Sequence, residues 1–416
     1  MQNRNILISG ASIAGPALAY WLRRHGFHPT LVERAPALRD GGYAVDVRGP
    51  ALEVLARMGL GDAARRASTD TLGTSFIDER GGRVADLERG FGVLDPADIE
   101  IMRGDLAHLL HDATRRDAEY IFGDSITAIA QRGDGVEVTF ERSAPRVFDL
   151  VVGADGLHSN VRRLAFGEES RFVRHLGSYL AIFTAPNHLG LDRWQLMLNL
   201  PGRVVSLKSA RANAELKVSL FFASAPLRYD HRDAAQQRQL VAEAFAGAGW
   251  EMPRVLEAMH DAPDFYFDAT SQIRMDPWWS GRVALVGDAA YSASPLTGQG
   301  TSLALVGAYV LAGELAAAGG DHRAAFARYQ DEMRGYVDRS QESALAIAKG
   351  FAPETRWQVW SRNTNLRMLR YLPWKDFVFS LMTRDIRRAA SAITLKSYRA
   401  ASGRAAAPSS LVLPAG

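Results

Sequence analysis

The chain has 416 residues, of which 47% are hydrophobic and 23% are charged, and it contains no cysteine. Because a single hydrophobic core stops growing at about 250–300 residues, this length predicts more than one domain. The absence of cysteine excludes disulfides, zinc–thiolate sites, iron–sulfur clusters and cysteine nucleophiles.

The net charge of +3 is unevenly distributed along the chain. Residues 351–416 hold 11 basic and 3 acidic side chains, a net +8, which leaves −5 for the other 350 residues. A mildly acidic body without a basic module predicts no nucleic-acid partner, and a solvated helical face accounts for the basic tail. Pro295 and Gly298-Gln299-Gly300 interrupt the uncharged stretch 289–313, so we expect no membrane span and a cytoplasmic location.

The N-terminal residues predict a strand, a tight turn, a helix and a second strand. The apolar run 5–9 leads into the turn 10–15, and Pro16 suits the first turn of a helix. The second strand, 30–32, ends in Glu33, where a carboxylate can accept hydrogen bonds from ribose hydroxyls. A small-residue turn before a helix favours phosphate binding, because the helix N-terminus supplies N–H groups and a positive dipole. A βαβ turn without a ligand is the alternative.

Two later segments also follow a predicted strand and open a helix. Asp155-Gly156-Leu157-His158-Ser159-Asn160-Val161-Arg162 comes after the strand 148–152. Gly287-Asp288-Ala289-Ala290 comes after the strand 282–286, and Pro295 and Gly298-Gln299-Gly300 precede a long apolar helix.

Between these segments, residues 171–267 show aromatic-rich strand patterns, which predict a mainly antiparallel sheet in a second domain. Some of the aromatic residues could wall a flat apolar substrate, although alternating aromatics are also typical of plain core. The candidate wall residues are Phe172, Tyr179, Phe183, Trp194, Phe221, Phe222 and Tyr266. The candidate polar anchors are Gln195, Arg211 and Lys217. The helices after residue 350, with Trp357, Trp360 and Trp374, are expected to pack across both domains.

The three motifs together resemble those of the group A flavoprotein monooxygenases, the FAD-dependent aromatic hydroxylases. That family carries a GxGxxG turn, a DGxxSxxR segment and a GD segment followed by PxxGQG. All three occur here in that order, with Ser12 at the second glycine. The resemblance implies an α/β fold with a Rossmann-like, GR2-type FAD-binding domain at 1–170 and 268–350. It also implies an inserted antiparallel substrate domain at 171–267 and a C-terminal helical segment at 351–416.

The resemblance further implies a role for each residue that matches a motif. The residues that would surround the FAD pyrophosphate are Gly10, Ser12, Ile13, Ala14 and Gly15. Glu33 would bind the adenosine ribose, and Arg34 beside it would also bind the cofactor. The residues that would reach the phosphate–ribityl region are Arg103 and Asp288, and Asp155 lies in the segment associated with both FAD and NAD(P)H. The residues that would lie beside the isoalloxazine are Pro295, Gly298, Gln299 and Gly300.

The segment Gly41-Gly42-Tyr43-Ala44-Val45-Asp46-Val47-Arg48-Gly49 is similar to the loop that passes the flavin in the tetracycline-modifying branch. Asp46 would match a flavin-contacting aspartate, and Arg39 a residue linked to NAD(P)H; ordinary surface charge is the alternative for both. Tyr291 departs from the family, since many relatives carry histidine there. His158 is expected to face solvent. No metal site is predicted.

Through the resemblance, we expect an FAD-dependent monooxygenase that acts in antibiotic biosynthesis or modification. NADPH or NADH would reduce FAD, and the C4a-hydroperoxide formed with O2 would hydroxylate an aromatic or polyketide-like substrate. The flavin itself would carry the chemistry, with Arg48 and Pro295 as candidates near its ring. A flavin oxidase or halogenase on the same fold, or a non-catalytic FAD-binding protein, remains the alternative, and the chain could be a monomer or a homodimer.

Overall fold

The chain forms a mixed α/β structure in the computed structural model, which describes residues 2–39, 42–88, 95, 97–369, 384 and 386–398. In chain order the strands are β1 (Asn5–Ser9), β2 (His28–Glu33), β3 (Ala44–Val47), β4 (Gly73–Ile77), β5 (Arg83–Glu88), β6 (Ile99–Met102), β7 (Glu119–Phe122), β8 (Ile126–Gln131), β9 (Val136–Phe140), β10 (Arg146–Phe148), β11 (Leu150–Gly153), β12 (Val173–Pro186), β13 (Trp194–Leu200), β14 (Arg203–Ala210), β15 (Glu215–Ala223), β16 (Tyr266–Ile273), β17 (Trp279–Ser280) and β18 (Val283–Leu285). The α-helices are α1 (Ala14–Arg24), α2 (Pro50–Arg57), α3 (Gly61–Arg66), α4 (Arg103–Asp112), α5 (Asn160–Phe166), α6 (Ala234–Ala244), α7 (Met252–Asp261), α8 (Asp288–Tyr291), α9 (Gly300–Ala317), α10 (His322–Phe351) and α11 (Arg356–Leu369). The predicted α/β class is confirmed.

A six-stranded sheet in the order β17-β18-β11-β1-β2-β7 brings the three motifs together. Its pairs are parallel except for β17 with β18. The carboxyl ends of parallel strands meet at one edge of a sheet. The turn after β1, Glu33 at the end of β2, Asp155 after β11 and Asp288 after β18 therefore share that edge.

Helix α9 lies in the core beside this sheet, in contact with α1, α2 and α10. Its 18 residues have a mean hydropathy of 1.4, so by length and composition alone it could cross a membrane. It is the one such helix in the described part of the chain, and 83% of it is buried. Burial against α1, α2 and α10 accounts for its apolar composition.

A seven-stranded sheet in the order β16-β12-β15-β14-β13-β4-β5 forms the second layer. The predicted range 171–267 supplies β12 to β15 and the start of β16. The sheet extends beyond that range, because β4 pairs in parallel with β13 and β5 pairs with β4. β16 also continues to Ile273. Pairing between strands more than a hundred residues apart leaves no local signal in the sequence.

One face of the seven-stranded sheet packs against α6 and α7 in a core of its own. Because side chains alternate along a strand, the alternate residues form the other, inward face, and β16 of this sheet contacts α8 at the edge of the six-stranded sheet. Tyr179, Phe183 and Phe222 belong to the α6–α7 core, so the prediction that they wall a substrate is wrong. Phe172 packs against the core of the first sheet instead. Of the predicted wall residues, those that lie on the inward face are Phe221 and Tyr266.

The C-terminal residues contact both layers. Helix α11 packs on β5 and β13. Residues 392–398 return to α9, where Tyr398 Oη donates a 2.8 Å hydrogen bond to the buried Glu314 Oε1. Trp374 and residues 399–416 lie outside the described residues.

Candidate active site

The turn 10–15 is packed tightly against the end of β11. Gly10 has a φ of +105°, and a Cβ there would stand 2.5 Å from the Ala154 carbonyl oxygen. A Cβ at Gly15 would stand 1.9 Å from the Gly10 carbonyl oxygen. Ile13, which precedes α1, makes no side-chain cap, and the first turn of α1 holds no acidic side chain. The first N–H groups of α1 are therefore suited to an anionic ligand such as a pyrophosphate.

Two charged side chains hold this turn in place. Arg103 Nη2 at the start of α4 donates a 2.9 Å hydrogen bond to Ser12 Oγ. Glu33 accepts hydrogen bonds from the backbone N–H of Ala11 and of Ala35, each at 3.0 Å. Ser12, at the second glycine position, thus accepts a hydrogen bond from Arg103. Glu33 fixes the turn from the neighbouring strand. Contact of Glu33 with a ribose stays a prediction.

Asp155 organises the start of α5. Its Oδ1 accepts a 2.5 Å hydrogen bond from Ser159 Oγ, and its Oδ2 accepts one of 3.0 Å from the Val161 N–H. Ser159 in turn caps the helix by accepting from the Arg162 N–H. Burial raises the pKa of the Asp155 carboxyl, and these hydrogen bonds oppose the rise.

Arg162 joins the second motif to the third. Its guanidinium is fully buried and donates to the Ala289 carbonyl oxygen at 3.0 Å and to Glu169 Oε2 at 2.7 Å. Ala289 lies in α8, directly after Asp288. The arginine of one fingerprint therefore positions the aspartate of the other.

Asp288 and the segment after α8 form the next part of the edge. Burial raises the pKa of the Asp288 carboxyl, and the positive charge of Arg103 acts against that rise. A Cβ at Gly300, the first residue of α9, would stand 3.6 Å from Asp288 Oδ1. Pro295 is exposed at this edge, and Gly298 has a φ of +64°, a conformation that favours glycine. Asp288, Pro295, Gly298 and Gly300 therefore line one continuous rim.

An ion pair at the end of β3, in which Arg48 is buried and Asp46 is half-buried, lies against this rim. Asp46 and Arg48 pair through Oδ2 and Nη2, and both approach Gly298. Burial raises the pKa of the Asp46 carboxyl to about 6, with Arg48 opposing the rise. Arg48 is only 4% exposed, yet its Nε and Nη1 have no hydrogen-bond partner among the described residues. Gln299, 1% exposed, likewise has neither amide atom paired.

These buried polar atoms fit a flavin. A buried donor or acceptor without a partner costs about 1–3 kcal/mol, so such groups ordinarily face a ligand. The guanidinium of Arg48 and the amide of Gln299 offer donors and an acceptor to a flat ring with nitrogen and oxygen along its edge. The α1 N-terminus lies at the same sheet edge and suits the pyrophosphate of the same cofactor. The residues present therefore fit FAD.

The inward face of the seven-stranded sheet lies across from Asp46. Lys208 on β14 pairs with Glu100 on β6, the strand that lies beside β3. The predicted anchors Gln195 and Lys217 point to this face; Gln195 Nε2 donates to Ser206 Oγ at 2.7 Å. The residues that give the face apolar area are Leu180, Ile182, Met197, Val204 and Phe221. Arg211 does not belong to it, since it lies in the turn between β14 and β15.

The structure adds detail at two residues of these motifs. His158 is exposed, as expected, and its ring is also held by two carboxylates: its Nδ1 lies 2.8 Å from Glu169 Oε1 and its Nε2 2.9 Å from Asp268 Oδ2. Burial lowers the pKa of His158, but these two carboxylates outweigh it and raise the pKa to about 10. Tyr291, at the family histidine position, is buried in the core and accepts a 2.9 Å hydrogen bond from Tyr329 Oη. It is a packing residue.

The structure brings together three residues of which the sequence had indicated only Tyr266, as a candidate wall residue. Tyr43, Tyr266 and Asp268 share the electrostatic neighbourhood of Arg103, and burial raises the pKa of both phenols. Tyr266 Oη donates a 2.8 Å hydrogen bond to Asp268 Oδ2. Tyr266 and Asp268 lie two residues apart on β16 and therefore share a face. That spacing was the available signal in the sequence, but it did not show which face of the strand turns inward. Arg34 and Arg39 are exposed in the segment after β2.

Comparisons with known proteins show the family to which this chain belongs. A family model described as "FAD binding domain" matches residues 3–341. A flavin-dependent monooxygenase of Legionella longbeachae is 41% identical over 84% of this chain and 90% of its own length. An uncharacterized protein of Mycobacterium tuberculosis is 52% identical over 84% of this chain and 95% of its own length.

Solved structures give the same result. The tetracycline destructase Tet(55) superposes with a TM-score of 0.83 and 38% identity, covering 96% of this chain and all of that one. Klebsiella pneumoniae HpxO, solved with FAD and uric acid, has 21% identity and a TM-score of 0.70 over 93% of this chain and 97% of its own, and so shows the fold. The fold and site define a flavoprotein of the FAD-dependent monooxygenase class. The chain belongs to the FAD-binding-domain family of flavin-dependent monooxygenases.

Proposed function

We propose that this protein uses NADPH or NADH and dioxygen to hydroxylate a flat aromatic or polyketide-like molecule bound between the two sheets. The observation that carries the proposal is the Asp46–Arg48 pair, with unmatched guanidinium atoms, opposite an inward sheet face that mixes apolar and polar side chains. A pocket of this kind can orient a planar substrate and exclude water from it. The named activities of the monooxygenase and tetracycline destructase relatives support the same class of reaction.

The residues proposed to hold FAD act in three groups. The pyrophosphate would lie on the α1 N-terminus, in contact with Gly10, Ser12, Ile13, Ala14 and Gly15. The ribose and ribityl chain would be held by Glu33, Arg34, Arg103, Asp155 and Asp288. The ring would be held by Asp46, Arg48, Pro295, Gly298, Gln299 and Gly300. When bound, FAD supplies the electron transfer and oxygen activation that no side chain of this protein can supply.

The protein's own part in the reaction is positioning and shielding. Arg48 places a fixed positive charge at the ring edge, where it would stabilise negative charge on the cofactor. Lys217 and Gln195 would anchor polar groups of the substrate on the inward face. Lys217 is 7% exposed, and its Nζ lies 3.6 Å from Asp264 Oδ2. Phe221 and its apolar neighbours would cover the substrate plane and keep water out.

Arg39 is proposed as a contact for NAD(P)H, because its exposed guanidinium lies in the segment that follows β2, beside the cofactor edge. An Arg39→Ala variant should raise KM for NADPH several-fold without changing FAD content. Arg80→Ala, which removes an exposed arginine from the β4–β5 turn, is the matched control and should leave both unchanged. Equal KM values for NADPH in the Arg39 variant and the control would refute this contact.

The experiment that tests the proposed function uses the purified FAD-loaded protein with NADPH or NADH and a panel of phenols and aromatic polyketides. Substrate-dependent cofactor oxidation together with a product heavier by one oxygen atom supports it. Oxidation that yields only hydrogen peroxide with every compound would instead indicate an oxidase. No oxidation at all would indicate a non-catalytic FAD-binding protein.

A further inference from the structure

Three segments that are distant in sequence bring two histidines and an aspartate together next to the cofactor edge, at residues that the proposed FAD contacts do not include. His158 belongs to the segment before α5, His231 to the connection between β15 and α6, and Asp268 to β16. One ligand atom from each of these side chains lies within 4.8 Å of the other two. The sequence predicted no metal site, because no local spacing relates these residues.

Hydrogen bonds to neighbouring groups fix two of the three side chains, His158 and Asp268. His158 Nδ1 lies 2.8 Å from Glu169 Oε1, which fixes the ring with its Nε2 facing Asp268. Asp268 is 5% exposed, and its Oδ1 accepts a 2.7 Å hydrogen bond from the Ala269 N–H. Metal-binding histidines usually donate their second ring nitrogen to a carboxylate in this way, which sets the ring orientation and strengthens the ligand.

The third side chain is accessible. His231 is exposed, and its ring lies 5.0 Å from the His158 ring, centroid to centroid, at an angle of 56°. Because His158 is exposed on the same side, an ion can reach the cluster from solvent without any opening of the fold. Two carboxylates, Asp268 and Glu169, converge on the His158 ring, and an ion bound there would replace the proton that His158 Nε2 shares with Asp268.

We propose that His158, His231 and Asp268 form a binding site for one divalent transition-metal ion, with Glu169 as the carboxylate behind His158. Two imidazoles and one carboxylate suit zinc or cobalt better than magnesium or calcium, which prefer oxygen ligands throughout. Three protein ligands leave at least one coordination position for water or a substrate oxygen. The ion would join the β15–α6 connection to β16, where Tyr266 lies on the inward face of the substrate sheet.

The test is calorimetric titration of Zn²⁺ into the FAD-loaded full chain, free of any histidine tag and freed of metal with a chelator. The proposal predicts one Zn²⁺ per chain. His231→Gln should weaken binding at least about tenfold, and Glu169→Gln by about 10–100-fold. His260→Gln, which changes an exposed histidine on α7, is the matched control and should bind Zn²⁺ like the unaltered protein.

Anomalous diffraction at the zinc edge gives a second readout, with a peak expected between His158, His231 and Asp268. His231→Gln carries the decision if other variants fold poorly, because the altered side chain is exposed. Absence of one-to-one binding, or binding that His231→Gln leaves unchanged, would show that the cluster is an ion pair only. These readouts need no substrate, so they are independent of the proposed hydroxylation.

Discussion

Gly298 lies so close to Asp46 that a side-chain carbon at position 298 would stand 2.6 Å from Asp46 Oδ2. The φ of Gly298, +64°, also disfavours any other residue. Gly298→Ala should therefore displace the Asp46–Arg48 pair and weaken FAD binding about tenfold or more, which flavin fluorescence titration of the apoprotein would measure.

Gly335→Ala is the control for that change. Gly335 lies within α10, is exposed, and has nothing within 4 Å of a Cβ position. This substitution should leave FAD binding unchanged and stabilise the protein by about 0.5–1 kcal/mol. Equal FAD affinity in the two variants would contradict the close approach described for Gly298.

Arg162 and Arg163 are adjacent but have opposite environments. Arg162→Met would remove the link to Ala289 and leave Glu169 paired with His158 alone, so the free energy of unfolding should fall by about 1.5–3 kcal/mol. Arg163→Met removes an exposed guanidinium that donates a hydrogen bond to Asn160 Oδ1. It should change the free energy of unfolding by less than about 0.5 kcal/mol. Urea denaturation of the two variants measures the difference; similar midpoints would argue against Arg162 as the link between the motifs.

Phe221 and Phe222 point to opposite faces of β15. Phe222→Ala empties part of the α6–α7 core and should cost about 3–4 kcal/mol of stability. Phe221→Ala should instead raise KM for the substrate about tenfold with a smaller loss of stability, since this ring lies on the inward face. Steady-state kinetics and thermal unfolding of both variants separate the two effects. A KM increase confined to Phe222→Ala would contradict a substrate site on the inward face, the face that carries Phe221.

Asp124 should make stability depend on pH at the acid end. Burial works to raise the pKa of this carboxyl, but hydrogen bonds from Ser143, Ser125 and Arg142 outweigh it and lower the pKa to about 2. Because the native pKa lies below the ordinary value of 3.8, the carboxylate stabilises the fold fully above that value. The contribution is lost as the pH falls from about 4 toward 2.

Asp124→Asn should therefore cost about 1–2 kcal/mol at neutral pH and almost nothing near pH 2. Asp134→Asn, in the exposed β8–β9 turn, is the control and should have little effect throughout. Denaturation midpoints across this pH range check the prediction. A constant difference between Asp124→Asn and the unaltered protein at every pH would disprove it.

The sequence predicted the cofactor edge because each motif is local. A strand, a turn and a helix N-terminus are encoded by neighbouring residues, and parallel pairing of β1, β11 and β18 brings the three motifs together. The aromatic wall could not be predicted in the same way. Whether Phe221 or Phe222 points inward depends on the register and the face of β15, which are set by distant strands.

The same limit applies to the cluster of His158, His231 and Asp268. His158 is part of a recognisable motif, but its partners come from other layers of the fold. Neither the β4–β13 pairing nor this cluster leaves a periodic signal along the chain. Tertiary packing alone creates them.

We propose that this flavoprotein transfers one atom of dioxygen to an organic substrate. The most direct measurement is mass spectrometry of the product formed by FAD-loaded protein and NAD(P)H under isotope-labelled dioxygen. We expect a product carrying one labelled oxygen atom, formed in step with NAD(P)H oxidation. A product without label, or labelled hydrogen peroxide alone with every substrate tested, would contradict it.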